Sequence, residues 1–313
     1  MNSSKIYSLF VTLFFITTPV TYGFELPTLP SSTQKGMQSL FSHGKDYFST
    51  FGNLRQQVLI KKDKHALSEI YKMAQQGYMD AIIFIGYLYD NGEGGVEKNS
   101  RLAAQFWYVA AKKGEALACY NLGILYWQGR GVAKNEETAR QLFAVASDHF
   151  MSLSDFILGL IAEERGDVTN ALNYYKDANS QKHPTIAARR AILLLKTQGA
   201  STTDQVFPVL LQAAEQWDAL AQYHLARFYA SGIGNADNTN NPVEAAYWLQ
   251  ILKNNPYGKS YWKQISTTRQ TFNISDQDIE QAQSSAAEWV KTHQTIPVPF
   301  DYTKTLYLVE GSQ

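Results

Sequence analysis

The sequence predicts an all-α fold, a right-handed α-solenoid of helix-turn-helix repeats closed by capping helices at both ends. Two observations predict it. The segment "IGYLYDNGEGGV" holds Gly86, Tyr89 and Gly92, and "LGILYWQGRGV" holds Gly123, Tyr126 and Gly129, so three positions recur at a spacing of 37 residues. Periods of about 20 to 50 residues mark chains in which each unit buries its apolar face only against its neighbours. The second observation is the phase of the apolar residues within a unit. Ala116, Tyr120, Leu122, Gly123 and Tyr126 fall at helical spacing, and Ala139, Leu142, Phe143 and Ala146 step by three and four. That is the stripe of a helix with one buried face.

Taken in order, the chain opens with Lys5 ahead of an apolar run from Ile6 to Ile16, then Pro19 and the small residues Thr21 and Gly23. This is the pattern of a signal peptide over 1–23, cleaved after Gly23. The run is shorter than the roughly 20 residues a membrane helix needs, so no integral membrane segment is expected after cleavage. Residues 24–63 read as a leader, rich in Pro, Ser and Thr from Pro27 to Thr33, and an N-terminal cap with Met37, Leu40, Phe41, Phe48, Phe51 and Leu54 as its apolar face. A helix is expected over 64–76.

Five units then follow at 77–113, 114–149, 150–182, 183–215 and 216–254, together spanning 64–254 with the helix that precedes them. In the second unit Gly129 and Gly131 stop the first helix, because glycine accepts the left-handed conformation of a helix C-terminus. The second helix is expected from about Glu136 to Ser147. The third unit has a shorter loop after Gly159 and takes "ALNYYKDA" as its second helix, the fourth keeps Ala187 and Gly199, and the fifth keeps Ala226, Tyr229, Gly232, Ala245 and Trp248. The structural repeat positions are therefore Gly86, Gly92, Gly123, Gly129, Gly131, Gly159, Gly232 and Gly234. Gly123 and Ala139 lack bulk where the two helices of a unit approach, so a larger residue there should overpack the seam.

At this point "ALACYNLGILYWQGRGVAKNEETARQLFAVAS" resembles a unit of the Sel-one-like (SLR) repeat family, relatives of the tetratricopeptide repeats with a longer, glycine-containing turn. The first, second and fifth units match best. The third, with "RGDVTNALNYYKDA", is nearer the shorter tetratricopeptide pattern, and the fourth lacks Gly-x-Gly and carries Ile192 where the others have glycine or alanine. In the last region, 255–313, "ISDQDIEQAQSSAAEW" is similar to the closing helix after the last repeat of many bacterial SLR proteins, with Ser275 as N-cap and Asp278 suited to the helix dipole. A tail follows it.

Charge narrows the partners. Without Lys5 the chain holds 27 basic and 28 acidic residues, which gives no electrostatic case for nucleic acid or anionic lipid. The single cysteine, Cys119, cannot form an internal disulfide and reads as an inert small residue. An exported chain with one thiol fits a bacterial periplasmic or secreted protein. A hydrophobic content of 45% can build a continuous core, and one elongated domain is expected.

Residues that could carry catalysis do not assemble. None of the six histidines pairs with another histidine or with Cys119 at metal-ligand spacing, so no metal and no cofactor is expected. His224, at the register of Asn121, reads as a polar helix-face residue. The Gly-x-Gly segments follow helices, whereas a dinucleotide loop follows a strand. Gly258, Lys259 and Ser260 imitate the end of a P-loop, but Lys253 stands where its first glycine belongs. Asn273 to Ser275 spells a glycosylation acceptor, which in a bacterial protein is read as chance.

What remains is a surface. The likeness to tetratricopeptide repeats implies that first helices line a concave face, and the positions that would point into it include Tyr87, Tyr120, Trp127, Phe156, Glu163, Arg189, Tyr223 and Arg227. Several are the residue types that dominate binding hot spots, and each aromatic has the competing reading of packing between repeats. The resemblance implies a non-catalytic scaffold that binds a protein or peptide partner in envelope assembly, secretion or host-cell contact. The alternative is an envelope enzyme or peptidoglycan-binding protein, because cysteine-rich SLR relatives are linked to penicillin binding and β-lactam hydrolysis. Those relatives carry a cysteine pair in each repeat, and this chain has one cysteine in all.

Overall fold

The computed structural model describes residues 45–148, 152–178, 183–233, 239–293 and 306. The expected signal peptide and leader, Gly234 and nearly all of the tail fall outside the described residues. Among those described, every regular element is helical. They are α1 (Lys45–Lys61), α2 (Lys64–Gln75), α3 (Met79–Asn91), α4 (Ser100–Ala111), α5 (Ala116–Gln128), α6 (Glu136–Asp148), α7 (Ser152–Glu164), α8 (Val168–Asp177), α9 (Pro184–Gln198), α10 (Thr203–Glu215), α11 (Ala219–Ala230), α12 (Pro242–Asn254), α13 (Trp262–Thr271) and α14 (Asp276–Thr292). Two short 3-10 turns, Gly199–Thr202 and Gly258–Tyr261, lead into α10 and α13.

The chain divides into two compact units, one holding everything to Ser154 together with the segment from Thr303, the other running from Asp155 to Tyr302. The sequence leads to a single elongated domain. In a stack where each pair of helices packs on the next, contacts are local, and no core common to all the repeats is required. In the first unit, α1 packs on α2, α2 on α3, α3 on α4, α4 on α5 and α5 on α6. In the second unit Phe156 of α7 packs on Tyr175 of α8, α8 packs on α9, α9 on α10, α10 on α11 and α11 on α12, and α14 packs back on α12.

Three of the helix pairs close because one helix of each offers no side chain at the crossing. A Cβ built on Gly86 would lie 2.5 Å from Trp107 Nε1, one on Gly123 2.8 Å from Phe143, and one on Gly159 2.5 Å from Tyr175. Three repeats thus seat an aromatic of the second helix on a glycine of the first. Trp107 also donates from Nε1 to the Ile83 carbonyl at 3.0 Å, which satisfies an indole that is otherwise fully buried.

Helix ends follow the chemistry of the turn. Gly92 and Gly129 cap α3 and α5 at φ of 72° and 71°, and each donates its N–H back to the helix, to Leu88 and Leu125. The next helix then starts on an asparagine: Asn99 accepts from Leu102 N–H, and Asn135 from Thr138 N–H. In the last repeat α11 is capped by Ser231, one residue before Gly232, and Asn241 accepts from Glu244 N–H at the start of α12. Ser275 and Asp278 form a reciprocal capping box at the start of α14.

Candidate functional site

In the first unit, Tyr87 lies half-buried on α3, stacks on Phe84 at 6.3 Å, and donates its hydroxyl to the Glu93 carboxylate at 3.1 Å. Tyr120 has no exposed surface and meets Phe143 edge-on at 5.9 Å, so it belongs to the core of its repeat. Trp127 is half-buried near the end of α5. The turn after it is held by Arg130, which donates from Nε to Gln128 Oε1 and from Nη1 to Asp90.

In the second unit, Phe156 is fully buried against Tyr175, at 5.8 Å between ring centroids. Glu163 gathers two partners: the Tyr175 hydroxyl donates to it at 2.6 Å and Arg189 Nη1 lies at 3.5 Å. Burial, and then the bond to Glu163, hold the Tyr175 phenol above its ordinary pKa. Tyr175 therefore stays a neutral donor that ties α8 to α7. Arg227 is exposed and its guanidinium lies 5.8 Å over the Tyr223 ring, while Tyr261 tilts against the same ring at 5.4 Å. Trp262, the next residue, is 53% exposed.

Arg227, Tyr223 and Tyr261 together form a cation-aromatic ledge where α11 meets the segment after the last repeat. Tyr223 and Arg227 are legible from the repeat register. Tyr261 and Trp262 lie beyond it, and the available signal was aromatic density in "PYGKSYW", a stretch otherwise read as a failed P-loop. That stretch forms the 3-10 turn Gly258–Tyr261.

Burial shifts three titratable groups towards their neutral forms. Burial, with Arg227 and Lys196 adding, pushes the His224 imidazole down to about 4. Burial, with the Glu115 carboxylate adding, pushes the Cys119 thiol up to about 12. Glu115 is itself raised to about 7 by burial, with Asp80 adding. A thiol so far from its thiolate is a poor nucleophile at neutral pH. Among the described residues, no group of three or more His, Cys, Asp or Glu is placed to hold a metal ion, and no helix is long and apolar enough to cross a membrane.

A family model described as the Sel1 repeat matches residues 80–115, 116–149 and 219–254. The chain carries three Sel1 repeats. The matched Sel1 repeats correspond to α3–α4, α5–α6 and α11–α12, while α7–α8 and α9–α10 are helix pairs that the family model passes over. A crystal structure of a Sel1 repeat protein from Oxalobacter formigenes is similar at 24% identity and a TM-score of 0.61, covering 75% of this chain and 98% of that one. A second solved structure, a protective antigen present in uropathogenic Escherichia coli strains and displaying an SLR fold, aligns at 18% identity and a TM-score of 0.33, covering 73% of this chain and 64% of that one. Sel1-repeat proteins generally mediate protein–protein interaction.

Proposed function

We propose that this Sel1-repeat chain is an exported, non-catalytic scaffold of the bacterial envelope or exterior, and that it captures a protein or peptide partner on the first helices of its repeats. The observation that carries the reading is the ledge of Arg227, Tyr223 and Tyr261. An exposed guanidinium over one tyrosine ring, with a second tyrosine packed against that ring, is the combination from which binding hot spots are built. In the first unit Tyr87 and Trp127 supply the same residue types. Glu163 and Arg189 pair with each other, which lets them orient a polar group of a partner without leaving a lone charge.

Export rests on Lys5, the short apolar run and the Thr21 to Gly23 site, and intact-mass analysis of periplasmic protein is expected to find a chain starting at Phe24. The binding reading is tested by capture from envelope and host lysates with the tagged protein. One defined polypeptide is expected to be retained by wild type and lost by Tyr223→Ala and Arg227→Ala, with helical circular dichroism unchanged. Retention by both folded variants would overturn the assignment to the ledge.

A further inference from the structure

The stretch that joins α12 to α14 holds a charge asymmetry that the balanced charge of the whole chain hides. Between Glu244 and Asp276 the sequence has no acidic residue, and four cations stand there: Lys253, Lys259, Lys263 and Arg269. Asp276 engages Arg269 at 2.6 Å, whereas the three lysines are exposed and form no ion pair among the described residues. Exposed aromatic residues share the stretch. Among the described residues three large apolar side chains are exposed, and two of them are Tyr257, at 39%, and Trp262, at 53%.

The display stands on a fixed base. Asn255 is 2% exposed, its Nδ2 donates to the Trp217 carbonyl at 2.8 Å and to Gln222 Oε1 at 2.9 Å, and its Oδ1 accepts from the Tyr257 N–H at 2.9 Å. A buried amide satisfied at both ends holds the chain that follows it in one conformation. Gly258 donates to the Asn255 carbonyl, and a Cβ on Gly258 would collide with the Leu252 carbonyl oxygen, so the 3-10 turn lies hard against the end of α12. α13 then packs chiefly on that turn, with Ile265 and Thr268 seated inward and Lys263, Gln264, Ser266 and Thr267 exposed. From Lys259 to Lys263 the backbone advances only about 6 to 8 Å, which brings two ammonium groups and the Trp262 indole to one small patch.

These residue types suit a broad anionic surface. Trp and Tyr rings settle at the headgroup depth of a bilayer, which accommodates both the apolar ring and its polar N–H or O–H, and lysine stems lie along apolar surface while the ammonium groups meet lipid phosphates. A protein hot spot centres instead on a packed, desolvated pocket. The outer side of α13 is polar and open to water.

We propose that the turn Gly258–Tyr261 and the start of α13 form a peripheral docking face for an anionic bilayer surface, with Tyr257 and Trp262 at headgroup depth and Lys253, Lys259 and Lys263 on lipid phosphates. The inference goes beyond the partner-binding reading and does not rest on it, because Tyr223 and Arg227 carry that reading and none of these five residues does. Each lysine near an anionic surface contributes about fivefold to binding, so three give a preference for anionic over neutral lipid on the order of a hundredfold. Salt screens the contact.

The test is co-sedimentation of the full chain with vesicles of phosphatidylcholine containing about one third phosphatidylglycerol, against vesicles of phosphatidylcholine alone, at low and high salt. Wild type is expected to prefer the anionic vesicles at low salt. Lys259→Gln combined with Lys263→Gln is expected to reduce that preference about 25-fold. Lipid brominated near the headgroup is expected to quench tryptophan emission in wild type and far less in Trp262→Phe. All three substitutions change exposed side chains, and helical circular dichroism confirms that the variants are folded.

Three results would overturn the docking face: an anionic preference that is absent or survives the two lysine substitutions, quenching unchanged in Trp262→Phe, or no vesicle binding together with lysine-dependent retention on immobilised polyglutamate, which would make the patch a site for an acidic polypeptide. Partner capture that depends on Arg227 together with no vesicle binding removes the docking face alone. Vesicle binding together with capture indifferent to Tyr223→Ala and Arg227→Ala removes the ledge alone.

Discussion

Arg130 and Asp90 fasten the first two Sel1 repeats together. Nη1 of Arg130, just past the cap of α5, lies 2.9 Å from each carboxylate oxygen of Asp90 in the last turn of α3. The Ser100 hydroxyl, at the start of α4, donates to the same carboxylate at 2.6 Å. One buried acid thus gathers both helices of one repeat and the turn of the next.

Removing one member of such a pair strands the other. The Asp90 side chain is 1% exposed and that of Arg130 31%, so Arg130→Ala takes a charged partner away from a buried carboxylate that keeps its bond from Ser100. A loss of about 2 to 4 kcal/mol in the stability of the first unit is expected, somewhat below the range for fully buried pairs because water reaches Arg130. Urea unfolding followed by circular dichroism measures it. A loss under about 0.5 kcal/mol would show that the pair is a surface ion pair in energetic terms.

Gly123→Leu should overpack the seam against Phe143, at a cost of roughly 1 to 3 kcal/mol. Because repeats couple to neighbours, hydrogen exchange is expected to rise in α5, α6 and adjoining helices and to stay unchanged in α14. Uniform loss of protection along the chain, or none anywhere, would contradict the repeat architecture.

How far could the sequence be read? The 37-residue spacing located the glycines at the helix seams and the turns after α3 and α5, because steric requirements repeat with the units. Asp90 with Arg130 left no such trace, since the pair occurs once and joins residues 40 positions apart. Tyr120 and Phe156 show the same limit in the opposite direction. Their register matched a groove-facing position, yet both are fully buried, because a large ring beside the seam fills the space between helices. Periodicity reports which helix face a residue occupies and says little about how much of that face a neighbouring helix covers.

Stability should depend on pH through Glu115. Its carboxyl is raised from 4.5 to about 7 by burial, with Asp80 adding, so the folded state binds a proton that the unfolded state releases. The contribution is fully present below about 4.5 and is lost as pH rises through about 7, with an upper bound of about 3 kcal/mol that partial exposure reduces. Glu115→Gln is expected to remove this slope, leaving stability near wild type at pH 4.5 and above wild type at pH 8. Parallel Tm profiles for the two proteins between those limits would contradict the assignment. His224 acts in the opposite sense: its imidazole is lowered to about 4, so its contribution is present above 6.5 and lost as pH falls through about 4.

Cys119 is buried, and its thiol is held up to about 12. Reaction with a thiol reagent at pH 8 is expected to be slow in native protein and fast in denaturant, with the native rate following unfolding. Rapid labelling without denaturant would show a reactive thiol instead.

The central claim is that partner recognition is concentrated in a few aromatic and arginine side chains on the first helices of the repeats. Titration calorimetry with the captured partner tests it most directly, comparing wild type with Trp127→Ala, Arg227→Ala and, as a charge control, Glu164→Ala. The account predicts losses on the order of 1 to 3 kcal/mol for each of the first two, and for Glu164→Ala only a small change in affinity that fades as salt is raised, as expected of an edge charge that acts through the on-rate. Unchanged affinity in both Trp127→Ala and Arg227→Ala, measured on folded protein, would contradict it.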